Sequence, residues 1–352
     1  MAMTSRERWL ALLAGEKPDR IPTDYQAVGE VTERLLRDLR CADFGELREK
    51  LHIDGRDAVG APATVHHHPD DAEADIWGLR HTTVKYGEGE YSEFASHPLA
   101  GARTAEDIHA FKWPNPDDHD FEAMKEQVRN IRGDRPVLCG GYEPFLLYCA
   151  MRGMEQAMMD LLVEPQIVEA ALGRIFDYYY RLNMRMWEIG KGRIDLTYVA
   201  EDLGSQTGLL MGLEPIRRFI LPNQKKMADL ARRFGIHIMY HTDGAARDVL
   251  PDLIRITGIE ILNPVQWRCA GMDREGLVRD FGDKIIFHGA VDNQQTLAFG
   301  SPADVRREVL DNLRIFAWPA RWICAPCHNL QTVSPTENIV AMYETIYENG
   351  RL

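Results

Sequence analysis

Short apolar runs alternate along the chain with longer stretches in which apolar residues recur every three or four positions. The short runs fall at residues 21–28, 56–61, 136–141, 194–200, 236–241, 258–262, 284–288 and 322–324. They have the length and β-branched content of buried strands. Each is followed by helical periodicity, for example over 145–162, 165–189, 214–233, 245–256, 273–281 and 302–316. The helix over 214–233 is expected to kink at Pro222. Eight β/α units in one chain predict an α/β fold, a closed parallel (β/α)8 TIM barrel occupying residues 1–352 as a single domain. A doubly wound open sheet is the rival architecture. It is weakened because no G-x-G-x-x-G or P-loop follows any strand. One stretch breaks the alternation. Residues 75–94 carry Thr82-Thr83-Val84 and the Gly-rich Tyr86-Gly87-Glu88-Gly89-Glu90-Tyr91, which read as an inserted β-hairpin.

The last unit is the most informative. The apolar run ending at Cys324 leads into Cys327-His328-Asn329, too polar for core, and then into Ser334-Pro335-Thr336-Glu337. That tetrapeptide is a helix start, with Ser as cap, Pro where a missing N–H costs nothing and Glu reaching back. Reactive side chains at a strand-to-helix junction sit where barrels carry their chemistry.

Composition narrows the partners. The chain has 352 residues, is 45% hydrophobic and carries a net charge of -13. No basic tract is present, so neither nucleic acid nor an anionic membrane is expected as a partner. The amphipathic, charged start has no secretory hydrophobic region, and six cysteines in a chain this long make no disulfide framework. A cytoplasmic location with reduced thiols is the expectation.

Polar groups stand past all eight predicted strands. His241-Thr242-Asp243-Gly244 closes the fifth, and alternation lets His241 and Asp243 point the same way. With Cys327, and Glu201 as a fourth group, they make a donor set able to hold Zn2+ with an open position. The same residues also suit a metal-free reading, in which His241 and Asp243 hydrogen-bond locally and Cys327 is a small buried residue. Glu201-Asp202 after the fourth strand is a candidate acid/base pair, with His328 a third proton-handling group. Tyr25, Glu30, Tyr142, Gln206, Gln266, His288 and Asn329 are the candidate substrate-binding residues. His66-His67-His68 reads as a solvated loop, because adjacent side chains cannot all point inward.

Taken in order, GEKPDRIP, DIWGLR, AEDLGSQTGLLMGLEPIRRFILP, HTDG, EILNPVQ, FHGAVD and CHNLQTVSPTENIVAMYETI resemble the uroporphyrinogen decarboxylase superfamily over nearly the whole chain. The resemblance implies a (β/α)8 barrel, often a homodimer. It also implies one of two activities on a small-molecule substrate: porphyrinogen decarboxylation, or zinc-dependent methyl transfer between corrinoid, substrate and thiol. The decarboxylases resemble one another in an Arg-rich loop after the first strand. Here that loop is Thr23-Asp24-Tyr25-Gln26-Ala27-Val28-Gly29-Glu30, with no Arg and two acids. The methyltransferases carry His-x-Cys after the fifth strand and a Cys after the eighth. His241 and Cys327 match, while Asp243 replaces the first Cys. The leading expectation is therefore metal-assisted methyl or alkyl transfer, with any corrinoid brought by a separate carrier protein. A decarboxylase acting on a different carboxylated substrate is the alternative, and a non-catalytic ligand-binding barrel the third.

Overall fold

A computed structural model describes residues 2–86 and 89–352. Nine strands lie among the described residues: β1 (Asp57–Val59), β2 (His81–Tyr86), β3 (Gly89–Phe94), β4 (Val137–Cys139), β5 (Leu196–Ala200), β6 (His237–His241), β7 (Ile261–Val265), β8 (Ile286–Val291) and β9 (Arg321–Pro326). Seven of them form one parallel sheet in the order β1-β4-β5-β6-β7-β8-β9. Helices follow β4 to β9, as a parallel sheet with crossover connections requires.

The predicted first strand, 21–28, forms no continuous ladder. It makes isolated parallel bridges, Thr23 to Cys324 and Ala27 to Leu330. Pro22 has no N–H to give a ladder, but its carbonyl accepts from Cys324 N at 2.9 Å and Asp24 N donates to Cys324 O at 2.9 Å. On the other side Gly55 N donates to Thr23 O at 2.9 Å. This segment thus bonds both to β9 and to the residue leading into β1, the two ends of the sheet.

β2 and β3 pair antiparallel, from His81 opposite Phe94 to Tyr86 opposite Gly89. The expected Gly87-Glu88 turn lies outside the described residues. The pair starts later than residue 75, because Asp75 Oδ1 accepts from Trp77 N at 2.9 Å and Leu79 N at 3.0 Å and holds that stretch as a turn. Two helices also differ from expectation. The one expected over 145–162 is broken at Gly153, whose φ of 89° is outside the helical region. Around Pro222 the chain runs through a π-helical turn, Ile216–Ile220, before the regular helix Leu221–Arg233. The widened turn accommodates a ring that would clash with a carbonyl of the preceding turn.

The core has two parts. The larger lies between sheet and helices. The smaller joins Leu196, Met239, Ile261, Ile286 and Ile323, one from each of β5 to β9, with Trp9 and Leu12 of the Ser5–Leu13 helix. The inward residues of five successive strands therefore meet in one apolar layer, plugged from below by the first helix.

Candidate functional site

Strand alternation puts the next inward position two residues on. One step above Leu196, Met239, Ile261 and Ile286 stand Tyr198, His241, Asn263 and His288. A polar layer thus sits directly on the apolar one. Its groups form a chain of contacts. Arg56 Nε donates to Asp24 Oδ2 at 2.9 Å, and His288 Nε2 meets the same oxygen at 2.9 Å. His288 Nδ1 lies 2.7 Å from Asn263 Nδ2, and Asn263 Oδ1 lies 2.7 Å from His241 Nδ1. Arg56 also donates to the Tyr198 hydroxyl at 3.0 Å.

This chain has a direction, set at Asp24. Burial works against its charge, but the Arg56 guanidinium and the His288 contact hold Asp24 below the usual carboxylate range. An ionised carboxylate only accepts. Burial, outweighing Asp24, keeps His288 below the ordinary imidazole value and hence neutral. His288 must then carry its proton on Nε2, Asn263 must donate to His288 Nδ1, and the Asn263 oxygen must accept from His241 Nδ1–H. What remains is His241 Nε2, facing the mouth; in the neutral ring that nitrogen carries the lone pair.

There it meets two carboxylates. Asp202, His241 and Asp243 each offer a ligand atom within 4.8 Å of the others. His241 Nε2 lies 3.6 Å from Asp202 Oδ1, which accepts from Asp243 N at 3.1 Å. Gln266 Nε2 donates to Asp243 Oδ1 at 2.8 Å, and His328 Nε2 lies 3.6 Å from Asp243 Oδ2. Burial raises the Asp243 pKa against the pull of His241 and His328. The loops after β5 and β6 can bring these acids together because each has a glycine at the point of contact. A Cβ on Gly204 would meet Asp243 O at 2.6 Å, and one on Gly244 would meet the Gly204 carbonyl carbon at 2.5 Å. Ala245 N donates to Ser205 O at 2.7 Å across the same junction.

Two cavities open beside the cluster, with His328 lining both. One, about 610 Å³, includes Gln206, Asp243, Gln266 and Gln331. The other, about 450 Å³, includes Tyr142, Glu143, Tyr179, Tyr198, His241 and Asn329. Among the described residues neither is lined by lysine or arginine. Burial and the nearby Asp202 push the Glu143 pKa up.

The expected site residues divide accordingly. Asp202, His241, Asp243, Gln266 and His328 come together, and Tyr142, Gln206 and Asn329 line the cavities. His288 is fully buried and acts behind His241 rather than at a cavity surface. Tyr25 bonds to Thr32 and packs on Phe44, and Glu30 is exposed on the helix Gly29–Asp38; they line neither cavity. Two placements correct the sequence reading. The Cys327 thiol turns into the protein and donates to Val265 O at 3.0 Å, so it is outside the donor group. Burial holds that thiol well above its ordinary pKa. Glu201 points into the wall, accepting from Phe145 N at 2.6 Å and Leu146 N at 2.8 Å at the start of the helix Pro144–Arg152. Burial pushes its pKa well up despite those two amides. Asp202, its neighbour, faces the mouth instead. His68 is buried and bonded to Lys112 O at 3.1 Å, while His66 and His67 are exposed.

Sequence reasoning gave no role to Asp24, Arg56 or Tyr179, and placed Glu143 and Asn263 past the third and sixth predicted strands without assigning them one. The available signal was charge inside apolar runs: Asp24 follows Ile21-Pro22-Thr23, and Arg56 opens the second run.

Comparison with known proteins follows this geometry. A solved methyltransferase from Methanosarcina mazei superposes with a TM-score of 0.68 at 19% identity, covering 98% of this chain and 99% of that one, a likeness of fold. The IOLI protein with a bound zinc atom covers 71% of this chain and 91% of its own, at TM-score 0.32 and 12% identity. The D-psicose 3-epimerase of Clostridium cellulolyticum H10 covers 70% and 80%, at TM-score 0.34 and 10% identity. Neither of these two carries weight. No curated protein sequence matches. The family model described as Uroporphyrinogen decarboxylase (URO-D) matches residues 80–349, the span that holds β2 to β9, the acidic cluster and every cavity-lining residue but Gln26, and by that match the chain belongs to the uroporphyrinogen decarboxylase family.

Proposed function

We propose that this chain is a metal-assisted methyl (or alkyl) transferase whose divalent ion, Zn2+, is held by Asp202, His241 and Asp243. The carrying observation is the convergence of two carboxylates on an imidazole whose Nδ1 is held by the contacts running back to Asp24, so that Nε2 is the nitrogen turned toward the carboxylates. Oxygen, oxygen and nitrogen donors fit a divalent ion, and they are harder than the thiolate set of the family's methyltransferases. When bound, such an ion supplies Lewis acidity, activating a thiol or the oxygen of a methyl ether. The chain's own residues do the rest. Gln266 and the Asp202 contact orient Asp243, and Asn263 orients His241. His328, partly exposed where the two cavities meet, is placed to move a proton. The printed name of the Methanosarcina mazei protein supports the same reading. We read the curled sheet and the bonds of residues 22–24 as a (β/α)8 barrel closed by the first segment, with β2 and β3 as an insertion. A corrinoid, if it is the methyl shuttle, is presented by a separate carrier protein.

The family name favours a second reading, decarboxylation. The absence of lysine and arginine from both cavity linings, among the described residues, disfavours a polycarboxylate substrate. Metal analysis of purified protein tests the proposal. About one ion per chain is expected, lost in His241→Ala and in Asp243→Ala and retained in Cys327→Ser, with thiol methylation from methylcobalamin in the wild type. Metal-free protein that releases CO2 from a porphyrinogen would overturn it.

A further inference from the structure

The smaller cavity has walls unlike those of the larger one. Tyr142 and Tyr179 meet edge to face, their centroids 6.0 Å apart at 71°. Trp77 stacks on Tyr179 at 5.8 Å and 19°, and Tyr178 stands against it at 5.2 Å and 90°, so the ring cannot turn away. Tyr198 forms a third wall, square to His241 at 81°. Its position is set by hydroxyl contacts from Arg56 at 3.0 Å and Gln26 at 3.1 Å. Three fixed aromatic rings around a cavity of about 450 Å³ bound a space of small-ligand size.

Charge selects what enters. Arg56 lies over the Tyr198 ring at 5.2 Å, but its charge is spent on Asp24. The remaining ionisable groups at this mouth are Glu143, Asp202 and Asp243, with His241 and His328 beside them. A divalent ion on Asp202 and Asp243 neutralises two of the three carboxylates. Glu143, on the cavity wall, is then left with a carboxyl group that no lysine or arginine meets among the lining residues. A monocation suits this wall, because the lining aromatic rings attract it and pairing with it favours the ionised form of Glu143.

We propose that the Tyr142–Tyr179–Tyr198 cavity binds a small N-methylated ammonium cation, paired with Glu143. This rests on the methyl-transfer reading for its biological sense, but the binding itself needs neither metal nor corrinoid. Choline and its neutral isostere 3,3-dimethylbutan-1-ol separate charge from shape, and calorimetric titration of both into metal-depleted and zinc-loaded protein is the test. Choline is expected to bind about tenfold more tightly than the isostere. Glu143→Gln should erase most of that preference and leave the isostere unchanged. Tyr179→Ala should weaken both, and Tyr179→Phe, which keeps the ring, should weaken neither. Equal affinities, or a Glu143→Gln variant that binds choline as the wild type does, would overturn the inference. Zinc content measured on the same samples keeps the two proposals apart. Metal retained without choline preference sinks this one alone, and choline preference without metal sinks the other.

Discussion

The proton on His241 Nδ1 is set by contacts that begin at Asp24, whose partner His288 stands 264 residues further along the chain. Asn263 is the link that can be cut most cleanly. Long-range 1H–15N spectra of the imidazoles are expected to show His241 protonated on Nδ1 and His288 on Nε2. In Asn263→Leu the His241 ring loses its acceptor, the tautomers mix, and metal affinity should fall about 10- to 100-fold. Asn263→Asp keeps the acceptor for His241 Nδ1–H but loses the donor to His288 Nδ1, and should hold the His241 tautomer and the ion. A leucine variant with unchanged His241 signals would mean that the contacts run through Asn263 without controlling anything. Which acid of Glu201-Asp202 enters the mouth was not legible in the sequence. Adjacent side chains diverge, but nothing local says which turns inward. The deciding facts are the Phe145 and Leu146 amides, brought from another helix.

At the scale of elements, the cluster depends on two loops touching backbone to backbone. Gly244 has a φ of 78° and lies within 2.6 Å, measured from a built Cβ, of both Gly204 O and Ser205 O. Gly244→Ala therefore combines left-handed strain with collision against main chain, which has no rotamer to yield. A loss of at least about 2 kcal/mol is expected, read from the urea midpoint, together with loss of bound metal. A variant as stable as the wild type would show that the loops can separate without cost. The strand boundaries carry a related lesson. The seventh of the eight strands counted in sequence was expected over 284–288 and extends to Val291, and the sixth shifts from 258–262 to Ile261–Val265. The sixth runs further toward the mouth than apolarity indicated, because Asn263 is an inward strand residue satisfied by His241 and His288 rather than by burial in hydrocarbon, and the seventh continues past His288 through Gly289-Ala290-Val291. Cys327 was misread for the same reason. It follows β9, past the last residue whose side can be assigned by alternation, and its thiol goes to Val265 O.

For the whole molecule, what the sequence expressed well was repetition. Apolar runs and helical segments recur often enough that a parallel α/β sheet with its chemistry at the strand ends could be read without coordinates. The apolar layer of Leu196, Met239, Ile261, Ile286 and Ile323 is the physical form of that repetition. The first segment was legible as extended chain, but not as the stretch that bonds to both ends of the sheet. That role depends on contacts with Cys324 and Gly55, far apart along the chain. Among the described residues no helix is long and apolar enough to cross a membrane.

The glycine junction also separates two things that a binding site usually varies together. Gly204 and Gly244 set where the donors stand, while the side chain at position 243 sets only what kind of donor is offered. The frame is rigid and the ligand is interchangeable. Asp243→Cys, the residue the family's methyltransferases carry there, should fold with wild-type stability and move the site's preference from harder to softer ions. Competition between Zn2+ and Mn2+, followed by metal analysis, would register that move. Unchanged selectivity would mean that position 243 is not a ligand. On the proposed metal reading, a lineage holding this frame would change its ion by a single substitution without rebuilding the loops that carry the donors.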